Sequence, residues 1–170
     1  GVTVNDQIIT LAGIGGAGTS IAVQAALDGA KEIRIFNLLD KSYDLAVPVI
    51  EKLNAESDCQ VTLHDLSDTD SFYHSIGESS IFIDATGIGM EPYEDQKLIN
   101  DPAVIREDLV IFDTVYSPAE TELLKFAREN GATKAYNGLG MLLYQAAEAF
   151  HLHTGHDMPV EYIRDILFGE

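Results

Sequence analysis

The sequence has one cysteine, Cys59, in 170 residues. A single thiol excludes an internal disulfide and gives a zinc site no support, so the chain must be held by its core. Positive charge is also scarce: ten Lys and Arg stand against 28 Asp and Glu, for a net charge of −18 and a pI near 4.3. Such a field repels nucleic-acid backbones and anionic membrane surfaces, which removes both as expected partners. Any phosphate bound here must be held mainly by backbone N–H groups. No apolar run reaches about 18 residues, and no charged-then-apolar leader opens the chain; the reading is no membrane span, no signal peptide and a cytoplasmic-type protein. The first residue is Gly1 and not Met, as in a processed or excised chain. There is no internal repeat and no low-complexity segment. What is present is ordinary globular composition, 46% hydrophobic and 22% charged. A chain of this length buries roughly 70% of its unfolded surface, enough for one domain.

Strand and helix signals alternate along the chain. Gln7–Ala12 is short, apolar and β-branched and stops at a glycine cluster, so it reads as a buried strand. Ala17–Leu27 follows as a helix with Ile21, Ala22, Ala25 and Ala26 on one face, stopped by Gly29. Glu32–Asn37 is a second strand and Tyr43–Ala55 a second helix, in which Pro48 either kinks the helix or delays its start. Gln60–His64 is a third strand, Asp68–Ile76 a short helix and Ser80–Asp84 a fourth strand. Residues 85–105 form a long loop with one helical turn at most, marked by Gly87, Gly89, Pro92 and Pro102. Leu109–Asp113 is a fifth strand, Thr121–Asn130 a helix ended by Gly131, and Thr133–Tyr136 a sixth strand. Met141–His153 is a helix with Leu142, Leu143, Ala146 and Phe150 on its apolar side, and Val160–Leu167 a last amphipathic turn or two. Six strands separated by helices predict a doubly wound α/β domain with a parallel six-stranded sheet and right-handed crossovers.

The sharpest motif is Gly13-Ile14-Gly15-Gly16-Ala17-Gly18, a G-x-G-x-x-G between the first strand and the first helix. Gly13 permits the tight turn, Gly15 lets a pyrophosphate approach the backbone, and Gly18 lets the helix pack close to the sheet. Free N–H groups at the helix start then face the phosphates, which meets the shortage of lysine and arginine. No G-K-[ST] follows, so this is not a P-loop and NTP hydrolysis is disfavoured. The second strand ends at Asn37, followed by Leu38, Leu39 and Asp40. Asp40 either folds back onto the adenosine ribose or caps the next helix, and the two roles are not exclusive. With no arginine at 38 or 39 and Lys41 the only cation nearby, NAD is favoured over NADP.

Two further motifs follow strands late in the chain. Asp113-Thr114-Val115-Tyr116-Ser117-Pro118, with Thr121, gives D-x-x-Y-x-P-x-x-T. Gly138 to Gln145 gives G-x-G-M-L-x-x-Q, and Thr154-Gly155 comes after it. Together with the glycine loop, these resemble the C-terminal, nucleotide-binding domain of the shikimate/quinate dehydrogenase family over essentially the whole chain. The resemblance implies a Rossmann-type domain in which Ile14 to Ala17 hold the pyrophosphate and Thr86 and Gly87 line the cofactor. It places Thr114, Val115 and Gly138 at the nicotinamide end, and Tyr116 and Gln145 at the substrate, shikimate or quinate; Met141 packs either at the nicotinamide or in the core. Family members specific for NADP carry Asn-Arg-Thr at the end of the second strand. Asn37 keeps the first of these, but Leu38, Leu39 and Asp40 follow, as in the branch that uses NAD. Asp84 and Ser117 stand where the family commonly has Asn. The family's catalytic Lys–Asp pair belongs to a separate N-terminal domain, so this chain is expected to contain no catalytic residue and to be inactive alone. Residues 1–170 then form one dinucleotide-binding domain, whose helices in 141–170 pack on that catalytic domain. The assembly stays open, a homodimer included.

The remaining chemistry-bearing residues have plainer readings. His151, His153 and His156 do not share one helical face, which argues for packing and against a metal. His64 and His74 read as surface or strand-end residues, and Cys59 as a small buried hydrophobe. Ser79 and Ser80 lack the G-x-S-x-G elbow of a hydrolase. Two other function classes share the glycine loop: a nucleotide-sensing regulatory module, which leaves the Tyr116 and Gln145 motifs unexplained, and a methyltransferase, which the DATGIGM stretch after the fourth strand fits poorly.

Overall fold

The computed structural model describes residues 2–169. In chain order the elements are β1 (Ile8–Ala12), α1 (Gly16–Leu27), β2 (Glu32–Asn37), α2 (Lys41–Glu56), β3 (Gln60–Asp65), α3 (Thr69–Glu78) and β4 (Ile81–Asp84). A single 3-10 turn at Pro102–Val104 interrupts the long loop that follows. Then come β5 (Val110–Asp113), α4 (Glu122–Glu129), β6 (Lys134–Tyr136), α5 (Leu139–Thr154) and α6 (Val160–Phe168). The six strands form one sheet in the order β3-β2-β1-β4-β5-β6, with every pair parallel. The chain steps outward from β1 to β3, returns to lay β4 on the other side of β1, and steps outward again. That reversal opens a crevice beyond the carboxyl ends of β1 and β4, where sheets of this kind bind ligands.

The strands read as continuous apolar runs because both faces of the sheet are covered. Ile9 and Leu11 of β1, Ile33 and Ile35 of β2 and Ile83 of β4 pack against Ala22, Ala25 and Ala26 of α1 and Ala46 and Ile50 of α2. The opposite face sets Phe36, Phe82 and Ile111 against Phe72 and Ile76 of α3 and Leu123, Leu124 and Ala127 of α4. Thr10 is the polar interruption on that second face. Its buried hydroxyl is satisfied by Ser75 of α3 at 2.7 Å and by Ser79, the C-cap of that helix, at 2.6 Å.

Two elements depart from the sequence reading. The helix at Tyr43–Ala55 starts earlier, at Lys41, because the Asp40 carboxylate caps it by accepting from the N–H groups of Ser42 and Tyr43. It also continues past Pro48 to Glu56. Both Pro48 and Asp44 are exposed, so the Asp44 carbonyl that loses its helical partner is open to water. The second departure is at the C-terminus. Of the predicted apolar side of α5 only Leu143 is buried, while Leu142, Ala146 and Phe150 are exposed, and α6 buries nothing. No helix of the described residues is long and apolar enough to cross a membrane.

Candidate functional site

The glycine loop crosses the head of the crevice. Gly13 has φ +88°, a backbone conformation that other residues rarely adopt, and its N–H donates to the Phe36 carbonyl at 2.8 Å. A β-carbon at Gly13 would meet the Ala85 carbonyl oxygen at 2.7 Å, and one at Gly18 would meet the Gly13 carbonyl oxygen at 2.0 Å. Ends of β1, α1 and β4 are therefore brought together as closely as backbones allow. Gly15 and Gly16 differ: a β-carbon at either finds nothing within 4 Å. Gly15 caps α1 without any side-chain hydrogen bond, which leaves the first-turn N–H groups of Gly16, Ala17 and Gly18 without helical partners. Gly16 and Ala17 are exposed. An uncapped helix start facing open space carries partial positive charge and unsatisfied donors, the requirements of an anion site.

Asn37 ties this loop to the end of β2. Its Oδ1 accepts from the Ile14 N–H at 3.1 Å, and its Nδ2 donates to the Leu38 carbonyl at 2.8 Å and to Asp40 Oδ1 at 3.1 Å. The same Asp40 oxygen accepts from Ser42 N at 2.8 Å and Tyr43 N at 3.1 Å. Asp40 is thus a helix cap, and none of these bonds uses its Oδ2. Leu38 and Leu39 project into solvent, 56% and 68% exposed, unusual for leucines beside a cleft.

Of the residues singled out in the sequence, Gly13, Gly15, Asn37, Leu38, Asp40 and Thr86 line one cavity of about 330 Å³. Ile14, Gly15 and Gly16 line its neighbour of about 290 Å³, and Ser42 contributes to both. Ser42, Leu66, Ala85 and Ile88 complete the first cavity and were not foreseen. Ala85 and Ile88 flank Thr86-Gly87 and could have been read from that stretch, whereas Leu66 is one apolar residue after a strand and carries no signal.

The second motif sits at the end of β5, beside β4. Asp84 and Asp113 are paired in register at the ends of the two strands, and both are buried. Asp84 Oδ1 accepts from the N–H and hydroxyl of Thr86, and Asp113 accepts from Val115 N and the Thr121 hydroxyl. Burial pushes the Asp84 carboxyl up to about 7, opposed by the Thr86 bonds and reinforced by the charge of Asp113. Burial raises Asp113 as well. The third motif joins here: Gly138 donates to the Val115 carbonyl at 2.9 Å, and a β-carbon on it would meet the Thr114 carbonyl oxygen at 2.0 Å. Thr114, Val115 and Gly138 thus form one packed corner. Tyr116, on the loop after β5, and Gln145, on α5, are exposed. Met141 lies instead along a separate groove with Tyr136, Tyr144 and Arg164.

Cys59 is buried, and burial raises its thiol. His64 is half-buried and stacks on Phe36 at 4.9 Å, a packing role. His151 pairs with Asp157 at 3.0 Å, and among the described residues no three His, Cys, Asp or Glu side chains gather as a metal site.

A doubly wound sheet with an open, uncapped glycine turn at its point of reversal has the architecture of a dinucleotide-binding domain. The sequence model of the family described as "Shikimate 5'-dehydrogenase C-terminal domain" matches residues 138–168. The shikimate dehydrogenase (NADP(+)) of Streptococcus uberis is 63% identical over 170 residues, all of this chain and 58% of that protein. The crystal structure of shikimate 5-dehydrogenase from Listeria monocytogenes, in complex with shikimate and NAD, superposes with a TM-score of 0.91 at 45% identity, over 97% of this chain and 57% of that one. Quinate dehydrogenase from Corynebacterium glutamicum, in complex with NAD, gives 0.81 at 25% identity, over 98% and 56%. Over essentially its whole length the chain is similar to part of these shikimate and quinate dehydrogenases. It spans about 58% of the length of the curated relatives it matches.

Proposed function

We propose that this chain is the nicotinamide-dinucleotide-binding part of a dehydrogenase that oxidises shikimate or quinate to the 3-dehydro acid, with NAD favoured over NADP. The observation that carries this reading is the uncapped start of α1 opening on free space at Gly15 and Gly16. In a protein of net charge −18, that turn offers a pyrophosphate backbone donors and needs no cation. The nicotinamide, when bound, supplies the hydride acceptor. The residues of this chain bind and orient. Ile14 to Ala17 hold the pyrophosphate, Asn37 to Asp40 the adenosine end, and Thr86 and Gly87 the strand-end wall. Thr114, Val115 and Gly138 serve the nicotinamide end, and Tyr116 and Gln145 reach the substrate.

Oxidising a ring alcohol also requires a base for its hydroxyl proton. A phenol and a carboxamide do not supply one at neutral pH, so turnover depends on the Lys–Asp pair that the family resemblance implies outside this chain. The exposed apolar side chains of α5 and α6, among them Leu142, Phe150, Leu152 and Ile166, suit helices packed on a catalytic domain. The single buried thiol suits a reducing, cytoplasmic setting.

The choice of NAD rests on Asp40. A 2′-phosphate at the end of β2 would meet this carboxylate, with Lys41 the nearest cation in sequence, while ribose hydroxyls can donate to the Oδ2 left outside the cap. The Listeria enzyme was crystallised with NAD, whereas the Streptococcus uberis relative is named for NADP. Calorimetric titration of the purified chain with both nucleotides decides between them. NAD is expected to bind at least about tenfold more tightly, as a charge-assisted bond gained on one side and a repulsion added on the other imply. Asp40→Ser keeps a capping oxygen and removes the charge, so it should narrow that gap. Equal or tighter NADP binding overturns the cofactor choice, and binding of neither overturns the claim that this chain holds the dinucleotide by itself.

A further inference from the structure

Asp84 and Asp113 are the neighbouring ends of β4 and β5, and among the described residues no ion pair involves either carboxyl. Each holds a loop instead. Asp84 Oδ1 accepts from Thr86 N at 2.9 Å and from its hydroxyl at 2.6 Å, and Thr86 Oγ1 accepts from Ile88 N at 3.2 Å. Asp113 Oδ1 accepts from Val115 N at 2.9 Å, and its Oδ2 from the Thr121 hydroxyl at 2.7 Å, which caps α4 through Leu124 N. The two loops also touch, since a β-carbon on Gly89 would stand 3.1 Å from Thr121 Cβ. One atom is unexplained: Asp84 Oδ2 is buried with no hydrogen-bond partner.

We propose that Asp84 and Asp113 are positioning residues which together pin the two loops rimming the cleft, and that a charge on Asp84 loosens the Thr86–Ile88 side. A neutral Asp84 can hold Thr86 through Oδ1 while Oδ2 stays dry. An ionised one places an unsolvated oxygen beside a second carboxyl, a state that is relieved only when the Thr86 loop lifts and water reaches Oδ2. Nothing nearby offsets that charge. The overlying loop carries Glu91, Glu94 and Asp95, all exposed, and Lys97, whose ammonium lies 4.9 Å from the Phe126 ring. Glu122 of α4 pairs with Lys125 on the surface, and β1 presents only Ala12 to the other flank. Holding of the proton to about pH 7 by burial puts the change near neutrality. Because Thr86 lines the larger cavity of the cleft, nucleotide affinity should follow the same change; this arm rests on the cofactor reading above.

Amide hydrogen exchange, as protection relative to the unstructured rate, tests the device without any ligand. Between pH 6 and 8 the protection of Thr86 and Ile88 should fall on the order of tenfold in the wild type, while β1 amides hold. Asp84→Asn keeps the Oδ1 acceptor and cannot ionise, so its profile should be flat. Asp113→Asn removes the neighbouring charge that helps hold the proton on Asp84 and should move the midpoint to lower pH. An Asp84→Asn profile that tracks the wild type, or a flat wild type, overturns the proposal. The NAD dissociation constant, measured over the same range, should rise with the wild-type midpoint and stay level in Asp84→Asn. If NAD fails to bind at any pH while the exchange profiles behave as stated, the cofactor reading falls and the loop device stands.

Discussion

Gly18→Ala is expected to cost the domain at least about 3 kcal/mol and to abolish nucleotide binding, although it adds one methyl group. Overpacking typically costs 1–3 kcal/mol where side chains can give way. Here the methyl carbon would lie 2.0 Å from the Gly13 carbonyl oxygen and 2.9 Å from its carbon, both backbone atoms. That backbone has nowhere to go, because Gly13 is bonded to Phe36 behind it and abuts Ala85 in front. Relief requires moving α1 off the sheet, with loss of the contacts made by Ala22, Ala25 and Ala26. Gly15→Ala separates packing from binding. A β-carbon there meets nothing, so stability should change by less than about 1 kcal/mol while the methyl fills the space assigned to the pyrophosphate. Urea unfolding of the three proteins reads the first effect, and nucleotide titration the second. A Gly18→Ala chain as stable as the wild type would contradict the close approach.

The second large effect is on the pH dependence of stability. An unfolded chain ionises Asp84 near the ordinary carboxylate value, whereas the folded chain keeps the proton up to about 7 because the site is buried. Below about pH 3, both states are largely protonated and the residue costs nothing differential. As the pH rises to about 7, the unfolded chain releases its proton first, so stability falls through that window and then levels. At 1.36 kcal/mol per pKa unit the loss is on the order of 4 kcal/mol, with Asp113 acting in the same direction. Asp84→Asn removes it. The melting temperatures of the two proteins should lie close together at pH 4 and separate by roughly 10 °C at pH 8 in favour of the variant. Curves that stay parallel would mean that Asp84 is solvated and ordinary.

Much of this fold was legible in the sequence because a parallel sheet covered on both faces writes its strands as apolar runs such as IFID and LVIFD. The glycine turn was legible too, since Gly13 and Gly18 each answer a steric demand that no other residue meets. What could not be read depends on which elements become neighbours. Asp84 and Asp113 are 29 positions apart in the sequence (113 − 84), and only the β4–β5 pairing makes them adjacent. Asn37 as a bridge between Ile14 and Asp40 likewise appears only once β1 and β2 are side by side. In α5 the periodicity correctly reports an apolar side at Leu142 and Phe150. It cannot report that among the described residues Leu142 and Phe150 stay exposed.

The most direct test of the central claim is a titration of isotope-labelled chain with NAD, followed through the backbone amide resonances. The account predicts saturable shifts concentrated at Gly15, Gly16, Ala17, Asp40 and Thr86, with the far edge at β3 and the outer faces of α3 and α4 unmoved. No saturable shift, or shifts gathered away from the glycine turn, would contradict it.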